Sequence, residues 1–385
     1  MRSVPGAPFG VAFTPDGRWA FAAVGGGIEV LRAGQSLTPV RTITVPRAAA
    51  GETMTGDGRY LLAADGSGAV VISVARAEQG TAGAVLGTLA TPAAPRDANR
   101  PGAVGGSDSG EADSEDSAIE VAVSPDGRFA FVTLEYADVA VVFNLSRALN
   151  SGFSAADDVG GIPLGESATG LAVSPDGRWL YATSEVEVPA LPAAGLGTAT
   201  TLSGSQAAAC SGTSAGESPG TLTVVNLGRA ETDPAASVVA TVEAGFQPVR
   251  VITAADGTQV WVTARASDDL LCFSATRLAS SPAHALVAVV RVGEAPVGLS
   301  AVRGGSLIVV ADSNRYGAPG ATADLDVVSV ADALAGRDTA VLGHVPSGSF
   351  PRDMAAPTGA DGALLVTNNL SGQLEAVDVA SLPGG

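Results

Sequence analysis

The chain has 385 residues and a formal net charge of −18, so one large domain is a reasonable use of its length and nonspecific binding to nucleic acid or anionic lipid is disfavoured. Its 49 glycines and 23 prolines suit short strands and tight turns rather than helices, and no apolar run is long enough to span a bilayer. Every basic residue is an arginine, which excludes Schiff-base chemistry by a lysine.

The first predicted element is a β-hairpin around Thr14-Pro15-Asp16-Gly17. Proline presets φ at the second turn position, aspartate bonds its own backbone, and glycine accepts a left-handed exit. Close copies follow at Thr55-Gly56-Asp57-Gly58, Ser124-Pro125-Asp126-Gly127 and Ser174-Pro175-Asp176-Gly177. Weaker copies are Ala254-Ala255-Asp256-Gly257, Arg303-Gly304-Gly305 and Ala360-Asp361-Gly362. Strand-like runs flank each turn, so we expect seven hairpins.

A second pair of strand-like runs follows most of these hairpins, which makes four strands per repeat. Four-stranded repeats at a spacing of roughly 40 to 50 residues indicate the blades of a β-propeller. We therefore predict an all-β, seven-bladed propeller of antiparallel blades as a single domain over 1–385. The predicted blades are about 7–46, 47–92, 117–165, 166–245, 246–293, 294–346, and 347–382 completed by 1–6. The N-terminal strand would thus close the ring and remove exposed sheet edges.

The repeats resemble those of the seven-bladed YVTN or YncE-like propellers, in which a small apolar strand leads through Ser-Pro-Asp-Gly-Arg into a second strand rich in Tyr, Val and Thr. The segment 169–183 carries this likeness most fully, and the resemblance covers nearly the whole chain. It implies a fold but little about function, because propellers include binding proteins, scaffolds and unrelated enzymes. Seven-bladed lactonases resemble the chain in fold, but no histidine-bearing lactonase motif can be matched onto it.

Insertions between the repeats are predicted to elaborate the face of the ring opposite the Pro-Asp-Gly turns. An acidic tract at 95–117 joins the second and third blades, and an Ala/Gly-rich insertion at 186–220 lies between the second and third strands of the fourth. The acidic tract is either a functional loop or a disordered segment, whereas the longer insertion is apolar enough to pack as a lid. On the turn side of the ring, we expect only one long connection between strands, at 146–161.

Aligning the repeats on their turns predicts which residues reach the central channel. One aligned position in each repeat lies four residues before the Ser or Thr of the turn, and glycine is the usual residue there. A second aligned position lies directly after the second strand of the blade. Charged or polar residues replace the default in several blades, and we expect them to converge at the channel opening on the elaborated face. The candidates are Glu120, Glu135, Glu185, Arg250, Arg265, Arg352, Asp353 and Asn369.

Two interpretations of these candidates stay open. In one they form a ligand site, with carboxylates acting as bases or cation ligands and arginines holding an anionic group. In the other they are an ion-pair network around a watery channel. The expected function is a binding or interaction module for a small polar molecule or a protein partner, and the alternative is an enzyme such as a lactonase-like hydrolase or an isomerase.

The few remaining reactive residues limit the chemistry further. His284 and His344 fall at outer strands, which argues against a catalytic triad or a His-ligated zinc. Cys210 and Cys272 are either two free thiols or a disulfide. We expect no cofactor and no dedicated metal site, no nucleic-acid partner and a monomer. The compartment stays open: periplasmic or secreted if an export signal precedes residue 1, otherwise cytoplasmic.

Overall fold

A computed structural model describes residues 1–33, 37–47, 49–66, 68–91, 117–186, 199–203, 218–317, 323–357 and 362–384. Across these ranges the strands form seven sheets, each of four antiparallel strands, and the predicted seven-bladed propeller is confirmed. Almost all of the predicted acidic tract and most of the 186–220 insertion lie outside the described residues, as does Cys210. A possible disulfide between Cys210 and Cys272 is therefore untested.

Each blade begins at the channel and ends at the rim. The first strand of the chain, β1 (Arg2–Ser3), belongs to the last blade. The first three blades contain β2 (Val11–Phe13), β3 (Trp19–Val24), β4 (Gly27–Arg32) and β5 (Thr38–Thr44); β6 (Ala49–Met54), β7 (Tyr60–Asp65), β8 (Gly68–Ser73) and β9 (Val85–Ala90); and β10 (Ala118–Val123), β11 (Phe129–Leu134), β12 (Val139–Asn144) and β13 (Asp158–Pro163).

The fourth to seventh blades follow the same plan. They contain β14 (Glu166–Val173), β15 (Trp179–Val186), β16 (Thr221–Asn226) and β17 (Val238–Glu243); β18 (Pro248–Thr253), β19 (Gln259–Ala264), β20 (Asp269–Ser274) and β21 (Leu286–Arg291); β22 (Pro296–Val302), β23 (Leu307–Asp312), β24 (Ala323–Ser329) and β25 (Val341–Ser347); and β26 (Pro351–Ala355), β27 (Ala363–Asn368) and β28 (Gln373–Asp378). The N-terminal strand β1 pairs with β28, so the predicted ring closure is confirmed.

The Pro-Asp-Gly turn has the predicted local chemistry. In the fourth blade Ser174 Oγ donates to Asp176 Oδ1 at 2.6 Å and accepts from Trp179 N at 2.9 Å. Gly177 adopts a φ of 68°, the left-handed conformation that glycine reaches without a Cβ penalty. Hydrogen bonds between residues close together in the sequence therefore determine where the first strand of the blade ends and the second begins.

The turn side carries more structure than the sequence predicted. Within the described ranges, short helices follow the third strand in five blades, so the expectation of a single long connection at 146–161 is wrong. They are α1 (Val74–Gln79), α2 (Leu145–Ser151), α3 (Leu227–Ala230), α4 (Ala275–Ser280) and α5 (Val330–Leu334). Each buries one or two apolar side chains, as Leu145 and Ala148 do in α2. None of the helices in the described ranges has the length and apolar character that a bilayer crossing requires.

The described part of the 186–220 insertion does not cover the channel. Residues 199–203 lie along the outer edge of the fourth blade, where Thr200 forms a parallel bridge with Val242 of β17. Further on, Ser203 N donates to Ala283 O at 2.8 Å in the fifth blade. For these five residues the expected lid is wrong, and they shield an edge strand instead.

Threonines in the second strands tie neighbouring blades together. Thr133, Thr183, Thr263 and Thr367 occupy equivalent positions, and each donates a hydrogen bond of 2.7 to 2.9 Å to a carbonyl at or just before the first strand of the next blade. All four side chains are fully buried. The first, second and sixth blades have alanine at this position, so the ties are confined to the third, fourth, fifth and seventh blades.

Candidate functional site

Seven equivalent positions at the inner strands form a ring around the channel, with four glycines and three charged residues. In blade order the positions are Gly10, Gly51, Glu120, Gly170, Arg250, Gly298 and Asp353. A Cβ added to Gly170 would approach Val249 O to 2.5 Å, and one added to Gly51 would meet the Glu120 carboxylate at 2.5 Å. The channel therefore has room for a long side chain only where the preceding blade contributes a glycine.

Above this ring, on the face opposite the turns, lies a small cavity of about 30 Å³, which we call the mouth cavity. Five of the predicted residues line it: Glu135, Glu185, Arg250, Arg265 and Arg352. The space suits about one water molecule. The mouth as described can therefore admit a single small group but not a whole organic ligand.

One well-formed ion pair orders the wall of the mouth cavity. Arg265 Nη2 donates to Glu185 Oε2 at 2.8 Å, and the Arg265 guanidinium also donates to Gln247 Oε1 at 3.0 to 3.1 Å. Tyr316 Oη donates to the same Gln247 oxygen at 3.3 Å. Sequence alignment of the repeats missed Gln247 and Tyr316, because both lie in connections rather than in the aligned strand positions.

Arg352 is held by aromatic rings. Its guanidinium carbon lies 3.6 Å from the centroid of Phe9 and 5.5 Å from that of Phe350, distances at which a cation interacts favourably with a π-face. Arg315, also missed by the sequence, lies 5.7 Å from the Phe350 centroid. Burial lowers the pKa of Arg352 to about 9, and nearby Arg250 adds to the lowering. Positive charge is thus concentrated on this side of the mouth.

Two carboxylates, those of Glu135 and Glu185, line the same cavity. Burial raises the pKa of Glu135, and Glu185 raises it further, whereas Arg352 and Arg265 oppose the shift. Burial also raises the pKa of Glu185 against the effect of Arg265. Three arginines and two carboxylates therefore share one small cavity, and Arg250 also contacts Glu120 outside it.

Below the ring, toward the turns, a larger cavity of about 250 Å³ opens inside the first strands; we call it the turn-side chamber. Glu120, Arg250 and Asp353 form its inner end. Arg250 Nε lies 3.3 Å from Glu120 Oε2, but neither Nε nor Nη2 of Arg250 forms a hydrogen bond with a described residue. The contact between these two side chains is therefore electrostatic, and Arg250 separates the two cavities.

Acid groups dominate the inner end of the chamber. Burial raises the pKa of Glu120 to about 7 although Arg250 opposes the shift, and Asp353 contributes to the increase. Burial likewise raises the pKa of Asp353, whose Oδ2 accepts a hydrogen bond of 3.1 Å from Val11 N. These two predicted residues face the chamber and not the mouth.

A third acid in the chamber, Glu52, was not predicted. It is 8% exposed, and neither carboxylate oxygen has a hydrogen-bond partner among the described residues. Burial raises its pKa well above the usual range, and Asp353 and Glu120 add to the shift. A signal for it exists in the sequence, because Glu52 is the only polar residue in a column of equivalent first-strand positions. The other members are Val11, Val121, Leu171, Val251, Leu299 and Met354.

Asn369 is the one predicted residue that lines neither cavity. Its Nδ2 donates to Pro8 O at 3.0 Å, so the side chain ties the seventh blade to the segment that enters the first. His344 Nδ1 contacts Asp326 Oδ1 at 2.8 Å in an outer strand, and His284 contacts Ser203 at the rim. Within the described ranges, no three or more His, Cys, Asp or Glu side chains are grouped so that they could hold a metal ion.

Comparison with solved structures supports the fold and nothing finer. Hydrazine synthase from Kuenenia stuttgartiensis matches with a TM-score of 0.66 at 12% identity over 98% of this chain and 97% of that chain. A protein of unknown function from Desulfotomaculum acetoxidans matches with a TM-score of 0.59 at 11% identity, over 96% and 88% of the two chains. No family model and no curated protein matches the sequence, so the resemblance to YVTN or YncE-like propellers stays a prediction.

Proposed function

We propose that the protein is a ligand-binding propeller whose mouth cavity captures the anionic end of a small polar molecule. The observation that carries this proposal is the convergence of the buried guanidinium groups of Arg250, Arg265 and Arg352 on one small cavity. Buried guanidinium groups bind carboxylates and phosphates through charge-assisted hydrogen bonds, often in a bidentate arrangement.

The size of the cavity defines what part of the ligand enters. A space of about 30 Å³ holds little more than one water-sized group, so the oxygen end of a carboxylate or a comparable anion would enter it and the rest of the ligand would lie above the mouth. Tyr316 and Leu370 are 59% and 68% exposed and follow the second strands of neighbouring blades on this face. They offer apolar contact to such a ligand. A free small carboxylate and the C-terminal carboxylate of a peptide share the required chemistry.

Calorimetric titration at constant ionic strength tests the proposal. Propionate is expected to bind and propionamide is not, because only the anion can form charge-assisted hydrogen bonds with the arginines. A peptide with a free C-terminus against its amidated form distinguishes a protein partner from a metabolite. Arg352→Gln should weaken binding by about tenfold or more, whereas Arg178→Gln, an exposed turn arginine beside Trp179, should leave it unchanged. Equal binding of the acid and the amide would refute the proposal.

A second candidate function is an enzyme, such as a lactonase-like hydrolase or an isomerase, and one observation favours it. Glu120 has a pKa of about 7, which suits a general acid or base at neutral pH. In a screen of sugar lactones and α-hydroxy acids, this function predicts a rate profile with an inflection near pH 7. The inflection should disappear in Glu120→Gln; a residual activity with an unchanged profile would exclude Glu120 from proton transfer.

A further inference from the structure

The turn-side chamber has the features of a second binding site, independent of the mouth. Its wall is a belt of seven equivalent first-strand positions, six apolar and one occupied by Glu52. Residues nearer the turns, including Met54 and Val173, are half-buried, so solvent reaches the chamber from the turn face.

The residues that line the chamber include more acidic than basic side chains. Glu52, Glu120 and Asp353 face it together with one arginine, Arg250. Glu120 is paired with Arg250, and Asp353 accepts a backbone hydrogen bond, whereas Glu52 is buried and has no hydrogen-bond partner among the described residues. A buried carboxyl without a partner is costly, and a positively charged donor in the chamber would satisfy it.

We propose that the turn-side chamber binds a small organic cation, with a primary ammonium group donating to Glu52 and a hydrocarbon part packed against the apolar belt. An engineered cavity of about 150 Å³ holds benzene, so 250 Å³ accepts a ligand of about ten non-hydrogen atoms. The belt favours an organic ammonium over an inorganic cation, which would gain nothing from Val121, Leu171 and Leu299.

Binding of the ammonium ion is coupled to the protonation of Glu52. An ammonium ion beside Glu52 favours the ionised carboxylate, whereas burial and the neighbouring Asp353 and Glu120 favour the protonated form in the free protein. Ligand binding should therefore release a proton, and affinity should rise with pH as long as the ligand stays protonated. Arg250 is the one basic group lining the chamber, and it pairs with Glu120.

The probe is 2-phenylethylammonium, with 2-phenylethanol as its neutral analogue of matched shape. The ammonium ion is expected to raise the melting temperature saturably and to bind with one-to-one stoichiometry in calorimetry. Glu52→Gln should weaken it by about ten- to a hundredfold, because a charged hydrogen bond is lost. Glu294→Gln removes an exposed carboxylate that lines neither the mouth cavity nor the chamber, and it should leave the affinity unchanged.

Three results would overturn the assignment: no saturable binding of the ammonium ion, equal affinity for the alcohol, or an unchanged affinity in Glu52→Gln. Gln is nearly isosteric with the protonated side chain that burial already favours, so the variant is expected to fold. Even if the variant does not fold, the comparison of 2-phenylethanol with 2-phenylethylammonium in the unsubstituted protein still tests the proposal. The outcome does not depend on the mouth cavity, because propionate binding can succeed or fail separately.

Discussion

Asp312 makes the stability of the sixth blade depend on pH. It ends β23 opposite Asp324 of β24 and is 4% exposed, and the backbone N–H groups of Gly293 and Asp326 lie near its carboxylate without forming well-aligned hydrogen bonds. Burial raises its pKa to about 9, with contributions from Asp326 and Asp324. At pH 7 the folded protein therefore holds a proton at Asp312 that the unfolded chain releases.

The proton that Asp312 binds only in the folded state determines the sign and the size of the change in unfolding free energy with pH. Because the folded pKa is raised above the unfolded value of about 4, the contribution of Asp312 is most favourable below pH 4 and is lost as pH rises toward 9. One pKa unit corresponds to about 1.4 kcal/mol, so the loss between pH 4 and pH 7 is on the order of 4 kcal/mol. Asp312→Asn keeps the shape and removes the titration.

Urea unfolding at pH 4, 7 and 9 measures this prediction. The difference in unfolding free energy between Asp312→Asn and the unsubstituted protein should move in favour of the variant by several kcal/mol from pH 4 to pH 7. Asp338→Asn, an exposed change of the same charge in the same blade, is the control. If the two proteins keep a constant difference at all three pH values, Asp312 is ionised in the folded state and the reasoning fails.

The other predictions concern packing between blades and are also measured by urea unfolding. Thr263→Val should cost about 1 to 3 kcal/mol, because a buried carbonyl of the sixth blade loses its donor; no loss would mean that water replaces the hydroxyl. Gly51→Ala should be destabilising by about 2 kcal/mol or more, since its Cβ would collide with backbone and carboxylate atoms of the third blade, whereas Gly228→Ala meets only one atom, at 3.8 Å. Arg2→Gln leaves Glu29 buried without its 2.8 Å ion pair and should cost about 1 kcal/mol, most of it recovered in the double variant with Glu29→Gln.

The fold could be predicted because its decisive signals are local. The Ser-Pro-Asp-Gly turn forms its own hydrogen bonds, as Ser174 and Asp176 show, so each copy marks a hairpin regardless of the rest of the chain. The short helices after the third strands were missed, because four to seven residues are too few for a helical hydrophobic period. Their boundaries depend on which face of the neighbouring strand they cover.

The candidate site could be predicted only in part, for a related reason. Repeat alignment correctly brings Glu135, Glu185 and Arg265 to one opening, since equivalent strand positions lie at equal depth in the channel. It cannot tell on which side of a narrow ring a long side chain will point, so Glu120 and Asp353 were placed at the mouth although they line the chamber. That choice depends on contacts between blades that are distant in sequence.

The distribution of the threonine ties explains why this channel can keep so many charges out of water. The ties come from the third, fourth, fifth and seventh blades, and the same four blades supply every charged residue of the mouth cavity. Buried ion pairs are favourable only when their geometry is held firmly, because each ion has lost its hydration. Hydrogen bonds between adjacent first and second strands fix the spacing of the blades at the depth where Arg250 and Glu120 meet. The buried charges of the mouth thus lie in the blades whose second strands are hydrogen-bonded to the next blade.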